Sequence, residues 1–238
     1  MNLWQNFLDN PGAAIYKWHH YFPVYERHFS SWRNRALTFW EIGVLKGGSL
    51  EMWQRFFGPF ARIVGLDIDP ACKSSEKHGI HVRIGDQSDP AFLDAVCQEF
   101  GVPDIVLDDG SHYMHDLWNT FSHIYPKMGK NAIYALEDLQ TCYWDEYGGG
   151  LDRPETFINR AKGLIDELNA DQTRGAITPT KFTRSTYSIC FYDSLVVIEK
   201  GDVWRKEAPV IGKWDTPATK PPTVSAPTVP PHPGELFR

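Results

Sequence analysis

From Leu37 onward the chain alternates short β-rich runs with longer stretches of helical period. That alternation admits few folds, because parallel strands need a crossover of a dozen or more residues, usually a helix. The runs LTFWEIG (37–43), RIVGLDI (62–68), HVRIGD (81–86), DIVLDD (104–109) and AIYALED (132–138) read as strands. Between them SLEMWQRFF (49–57), PAFLDAVCQEF (90–100) and LWNTFSHIYPKM (117–128) read as helices. In the last of these Leu117, Phe121, Ile124 and Met128 recur at intervals of three and four, which gathers them on the face that packs on the sheet. A further helix is expected over 155–169, behind Pro154. The two β-rich halves of 185–202 meet at YDS, too short a link for a parallel crossover, so they predict an antiparallel hairpin at the end of the sheet. The expected fold is α/β, a mainly parallel sheet with helices on both faces.

Three segments follow from this reading: an aromatic-rich cap over 1–36, a core over 37–206 and a tail over 207–238. AIYKWHHYFPVYERHF is expected to be helical within the cap. The Pro/Thr-rich tail has too few apolar residues to pack alone and is expected to be extended. With 24 Lys+Arg against 30 Asp+Glu and no basic stripe, the chain lacks the footprint of a nucleic-acid binder. The N-terminus lacks the pattern of a secretory signal, and no apolar run approaches the roughly 18 residues that span a bilayer. A cytoplasmic protein without a membrane partner is expected. The four cysteines show no CxxC or metal-type spacing and read as free thiols.

Each expected parallel strand finishes in acid: Glu41, Asp67 with Asp69, Asp86, Asp108 with Asp109, and Glu137 with Asp138. Ligands of open α/β sheets bind beyond the carboxyl ends of the strands, so this rim marks a site, although any one of these acids also suits a cap or turn. The first turn, EIGVLKGGS, differs from the dinucleotide fingerprint: Gly43, Gly47 and Gly48 allow close backbone approach, Ser49 is placed to cap the next helix, and no P-loop Lys-Ser/Thr follows. A glycine turn introduced by an acid suits a ligand with a cationic amino-acid end, such as S-adenosylmethionine. Asp67 lies where an acid accepts ribose hydroxyls, Asp86 where one reaches the adenine amino group, and Glu41 and Asp108 complete the donor-side set. Asp109, Glu137 and Asp138 would converge from neighbouring strand tips, and carboxylates that close repel unless a proton or cation intervenes. Oxygen ligands suit Mg2+. His112, three residues beyond Asp109, is placed to act as a base near neutral pH, while Ser111 and His112 also suit the cap of a helix starting near Tyr113.

The stretches KWHHYFPVYERHF, EIGVLKGGSLEMW, VGLDIDP, GDQSDPAFL, DIVLDDGSH, YALEDLQTCYW and FYDSLVVIEKG occur in this order over roughly residues 16 to 200. They resemble the class I S-adenosylmethionine-dependent, Mg-dependent O-methyltransferases that methylate macrolide deoxysugars, with relatives in cephalosporin tailoring clusters. The resemblance implies a Rossmann-like class I methyltransferase sheet, Asp109, Glu137 and Asp138 as metal ligands, and His112 as the base. It also implies that Glu41, Gly43, Ser49, Asp67 and Asp86 border the methyl donor. Catechol-type O-methyltransferases are more distantly similar: their metal Asp is followed by a Lys three positions on, where this chain has His112. The large N-terminal domain of the macrolide sugar enzymes has no counterpart here, so their oligomeric arrangement and acceptor specificity do not carry over. A homo-oligomer is left open.

The expected reaction is in-line transfer of methyl to a hydroxyl of a sugar or glycoside. Its rivals are a scaffold that keeps the fold without activity, and a Mg-dependent hydrolase or phosphoryl-transfer enzyme. Tyr143, Trp144 and Tyr147 in LQTCYWDEYGGGLDRP suggest an acceptor wall, and His19, His20, Tyr21 and Tyr25 a cover for the donor. Trp4, Trp32, Trp53 and Trp118 read as packing, and His28 as a surface residue.

Overall fold

The computed structural model describes residues 2–203, 206–208 and 211. The expected tail therefore lies outside the described residues, except for three exposed positions, 207, 208 and 211. Among the described residues no helix is long and apolar enough to cross a membrane.

Seven strands form one sheet: β1 (Leu37–Ile42), β2 (Ala61–Asp67), β3 (Ile80–Ile84), β4 (Ile105–Asp108), β5 (Ile133–Leu136), β6 (Thr186–Tyr192) and β7 (Leu195–Lys200). Their order is β3-β2-β1-β4-β5-β7-β6. The first five run parallel, β7 pairs antiparallel with β5, and β6 closes the expected hairpin on β7. Ser194, at φ 58°, turns the hairpin. The parallel strands stop one or two residues short of the apolar runs, which leaves Asp86, Asp109, Glu137 and Asp138 in the turns beyond the strand ends.

Both faces are covered, and the period of two along each strand divides the core. Phe39, Ile63, Ile105 and Leu107 face one apolar cluster with Leu50, Trp53 and Phe57 of α3 (Gly48–Phe57). Trp40, Val64, Val106 and Tyr134 face the other. That second cluster takes Leu93 and Val96 from α4 (Pro90–Phe100) and Leu117, Phe121 and Ile124 from α5 (Met114–Ile124). It also takes Phe157, Ala161 and Leu164 from α6 (Phe157–Leu168). Truncating a fully buried ring such as Phe39 to Ala costs about 3–5 kcal/mol in such a core. Asp89 accepts from the Ala91 amide at 2.9 Å and caps α4 just ahead of Pro90. The α5 helix starts three residues earlier than its sequence period suggests, and Pro126 passes its end into a 3₁₀ turn over Tyr125–Lys127.

The N-terminal segment is less helical than expected. Helix α1 (Leu3–Leu8) is capped by Asn2, and α2 (Phe22–Phe29) follows a single 3₁₀ turn at His19–Tyr21, while residues 14–18 have no regular structure. Pro23 explains the difference, since it has no amide hydrogen and its ring clashes with the carbonyl four residues earlier, so it is tolerated only in the first turn of a helix. The α2 helix packs on the first cluster through Tyr25 and Phe29 against Trp53, with ring centroids 5.2 and 5.9 Å apart. His28 is not a surface residue: it is buried, with Nδ1 2.8 Å from Glu199 and Nε2 2.8 Å from the Tyr192 hydroxyl, and so ties α2 to the hairpin.

Candidate functional site

The acids at the strand ends do gather, and the glycine turn lies against them. Gly43 has φ 90°, and a Cβ there would fall 2.0 Å from the Asp109 carbonyl oxygen, so the turns after β1 and β4 touch through backbone alone. Gly47 caps α3 in the left-handed conformation. Ser49 is therefore not the cap. It sits inside the first turn, and its hydroxyl donates to Glu41 Oε2 at 2.7 Å. Above Gly48 the N-terminal segment crosses so closely that a Cβ would come within 2.2 Å of the Ala13 carbonyl. Asp67 binds the glycine turn from the side, accepting from the Val44 amide at 2.8 Å and the Leu45 amide at 3.3 Å, and from its own turn through Asp69 N at 2.9 Å. Burial raises the Asp67 carboxyl, but the backbone donors of Asp69, Val44 and Leu45 outweigh it and hold it below the usual range. Asp86 is exposed and accepts from the Ser88 amide at 2.7 Å.

At the centre is a residue that sequence reasoning did not single out. Lys17, buried in the irregular stretch ahead of α2, places Nζ 2.6 Å from Asp109 Oδ2, 3.1 Å from both oxygens of Glu137 and 3.2 Å from Glu41 Oε1. One ammonium thus meets carboxylates from the ends of β4, β5 and β1. Burial opposes its charge, yet attraction from Asp109, then Glu137 and Glu41, keeps Lys17 protonated well above the usual range. Three acids share that single cation, so burial still pushes the Glu41 and Glu137 carboxyls up, Glu137 strongly. Further donors support them: Trp53 Nε1 reaches Glu41 Oε1 at 3.1 Å, and the Tyr25 hydroxyl reaches Glu137 Oε1 at 2.5 Å. Trp53 is therefore more than packing. Tyr25 and Tyr21 both lie on the acids, with the Tyr21 hydroxyl donating to Asp138 Oδ1 at 2.8 Å and accepting from the Asp138 amide at 3.2 Å.

Beside this filled position is a second one. Asp109 Oδ1 and Asp138 Oδ2 each lie 3.8 Å from His112 Nε2, and one ligand atom from each of the three residues falls within 4.8 Å of the other two. His112 at φ 60° and Asp138 at φ 54° both occupy the left-handed region, a conformation that costs about 1–3 kcal/mol and persists where surrounding structure fixes it. The buried Nδ1 of His112 has no hydrogen-bond partner among the described residues. Asp109 is thus shared, with one oxygen toward Lys17 and the other toward His112. Ser111 takes the local role open to it, accepting from the Tyr113 amide at 3.2 Å and donating to Asp116 at 2.8 Å. Tyr147 flanks His112 at 6.3 Å and Tyr113 at 5.5 Å, and Trp144 and Tyr143 are about half exposed beside them.

Asp108 is fully enclosed and lies beneath the loop. It accepts from the Tyr134 hydroxyl at 2.9 Å and Gln87 Nε2 at 3.1 Å, and burial pushes its carboxyl up to about 7 against those bonds. Gln87 also accepts from the Ser111 amide at 2.7 Å, which links the turn after β3 to the loop that carries Asp109 and His112. Neither Gln87 nor Tyr134 has a sequence signal of its own, since one meets Asp108 from the turn after β3 and the other from the neighbouring strand β5.

The parallel sheet with its antiparallel β7, the glycine turn after β1 and the acids beyond β4 and β5 define the Rossmann-like class I methyltransferase fold. No family model matches the chain. It is 37% identical over 196 residues to the 8-demethyl-8-alpha-L-rhamnosyl tetracenomycin-C 2'-O-methyltransferase of Streptomyces olivaceus, covering 77% of this chain and 51% of that protein. It is 36% identical over 202 residues to the mycinamicin VI 2''-O-methyltransferase of Micromonospora griseorubida, covering 77% of this chain and 48% of that protein. A solved structure of MycE, a methyltransferase from the mycinamycin biosynthetic pathway in complex with Mg, SAH and mycinamycin VI, superposes with a TM-score of 0.77 at 31% identity. That match covers 85% of this chain and 54% of MycE. The chain is a homologue of these sugar O-methyltransferases and spans about half the length of the curated relatives it matches.

Proposed function

We propose that this chain is an S-adenosylmethionine-dependent, Mg-dependent O-methyltransferase that acts on a sugar hydroxyl of a glycosylated small molecule. The observation that carries the reading is the convergence of Asp109 Oδ1, Asp138 Oδ2 and His112 Nε2 beside a glycine turn packed on the Asp109 backbone. The homologues named above are sugar O-methyltransferases, and MycE was solved with Mg and SAH, which supports the same cofactors here.

Asp109 and Asp138 would hold the ion through their free oxygens. Glu137, the third ligand that the resemblance implies, lies beside them with both oxygens on Lys17 and would complete the set from there. When bound, such an ion supplies positive charge that lowers the pKa of an acceptor hydroxyl. His112 accepts the hydroxyl proton at Nε2, the nitrogen that faces the acids. Gly43 and Gly47 admit the donor to the backbone, Asp67 and Asp86 receive its ribose and adenine, and Glu41, Ser49 and Asp108 brace that side from within. Tyr147, Trp144 and Tyr143 offer aromatic faces to the acceptor. The chain's contribution to in-line transfer is alignment of the two reactants and exclusion of water.

The test is release of S-adenosylhomocysteine against a panel of glycosides, with and without EDTA. Magnesium-dependent release that falls at least about a hundredfold in H112A, with S-adenosylhomocysteine affinity kept within about twofold, is the expected result. Parallel loss of donor affinity would remove His112 from its role. Donor binding without release on any sugar would favour a scaffold.

A further inference from the structure

We propose that Lys17 is a built-in counter-ion that allows the acid-lined centre to fold, with the N-terminal segment docked over it, before any divalent ion arrives. The inference rests on the metal reading above and deepens it, because it concerns how the same centre is held when metal is absent.

Four carboxylates, those of Glu41, Asp109, Glu137 and Asp138, meet at the ends of three adjacent strands, and Glu41 and Glu137 are essentially inaccessible to solvent. Acids that close and that buried need a compensating cation or bound protons. The protein supplies one cation from its own chain. Nζ of Lys17 is within 3.2 Å of oxygens from three of the four acids, and its side chain is 2% exposed. Each of these acids then has a second support that does not come from Lys17. Ser49 and Trp53 hold Glu41, Tyr25 holds Glu137, and the remaining Asp109 oxygen points to His112. The ammonium therefore fills one cation position and leaves the neighbouring one, between Asp109, Asp138 and His112, for a second charge.

The position of Lys17 in the chain gives this contact a further consequence. It belongs to the irregular stretch between α1 and α2, the part of the N-terminal segment without internal helical hydrogen bonds. Just upstream, Ala13 and Ala14 press their carbonyls onto Gly48 at the start of α3. The ion pairs of Lys17 and the close approach at Gly48, with Ile15 against the first apolar cluster, fasten this stretch to the core. Neutralising the acids and closing the segment over the glycine turn are one event.

The experiment compares the full chain with K17M and K17M/E137Q, in EDTA and then in excess MgCl2, by thermal unfolding and by limited proteolysis read by mass spectrometry. Methionine keeps the length of the side chain and removes its charge. In EDTA, K17M should melt roughly 10 °C below the parent, the scale set by orphaning buried charge in a chain of this size. It should also be cut within residues 10–18 faster than the parent. MgCl2 should recover at least half of the lost melting temperature in K17M and add much less to the parent. Removing one acid together with the cation, in K17M/E137Q, should recover stability in EDTA without magnesium. A K17M protein as stable and as protected in EDTA as the parent overturns the proposal. So does a K17M/E137Q protein no more stable than K17M, since the loss would then be one of packing. Calorimetry of MgCl2 binding to the parent separates the two levels of inference: no binding defeats the metal reading, while the EDTA comparisons still decide the role of Lys17.

Discussion

Replacing Gly43 with alanine tests the contact that joins the glycine turn after β1 to the loop that carries Asp109. The added Cβ would lie 2.0 Å from the Asp109 carbonyl oxygen and 3.1 Å from the Gly110 Cα. Carbon and a carbonyl oxygen settle at about 3.3–3.6 Å, so the Asp109 backbone must retreat by roughly 1.3 Å or the β1 turn must open by as much. Neither is free to do so, because the Asp109 amide is bonded to the Ile42 carbonyl at 2.9 Å and the Gly43 amide to the Leu66 carbonyl at 2.8 Å. At φ 90° an alanine also carries a backbone cost of about 1–2 kcal/mol. With overpacking of about 1–3 kcal/mol the total loss should be roughly 2–5 kcal/mol, read by urea unfolding. A displacement of about 1 Å at Asp109, proposed above as a metal ligand, should also lower turnover about a hundredfold. Gly163, exposed within α6 and with nothing inside 4 Å of its would-be Cβ, is the control: G163A should stabilise by about 0.5–1 kcal/mol. A G43A protein within about 0.5 kcal/mol of the parent and with unchanged magnesium affinity would refute the argument from close approach.

Three further outcomes are expected. Lys200 ends β7 with its ammonium on the Met128 carbonyl at 2.8 Å, and burial pushes its pKa down to about 8. The folded state then binds fewer protons than the unfolded chain between about pH 8 and 10.5, so stability rises with pH across that window, by about 1–2 kcal/mol after screening. K200M should flatten this rise in denaturant titrations taken at pH 7 to 10.5. W53F removes the ring donor to buried Glu41 and should cost about 1–3 kcal/mol in urea unfolding, against much less for W53F placed in an E41Q background. D89A removes the α4 cap and should cost about 1 kcal/mol, with no change in magnesium affinity by calorimetry.

The sheet was legible because its information is local. Each strand from β1 to β5 carries a β-rich run, continuous or alternating, bounded by turn residues, and the YDS link between β6 and β7 is too short for anything but a hairpin. The acids were legible for the same reason: a strand in a covered sheet has little use for Asp108-Asp109 or Glu137-Asp138 at its tip. What the pattern could not reveal was pairing at long range. Lys17 is a single basic residue among aromatics, and its partners lie up to 120 residues away. The excess of converging acids signalled that a cation was needed, and the expected answer was a metal alone, although the chain carries one cation of its own. His28 shows the same blindness, since nothing near it in sequence indicates that Glu199 and Tyr192 would enclose it. The overlong helix expected over 14–29 was a local error, and Pro23 held the correction.

The turn between β6 and β7 has a consequence for how the protein is made. The Ser194 carbonyl accepts from the Leu139 amide at 3.0 Å and faces the Tyr21 hydroxyl at 3.3 Å, so early, middle and late parts of the polypeptide meet beside Asp138. A ribosome delivers Tyr21 first and β5 later, and the ribbon that flanks β5 emerges after both. Until Leu195–Lys200 has left the exit tunnel, β5 is a bare sheet margin and Asp138 lacks one of its neighbours. Stalled nascent chains should therefore gain amide protection at Ile133–Leu136 only once Lys200 is exposed, so that the surroundings of Asp138 are completed only after β7 has emerged.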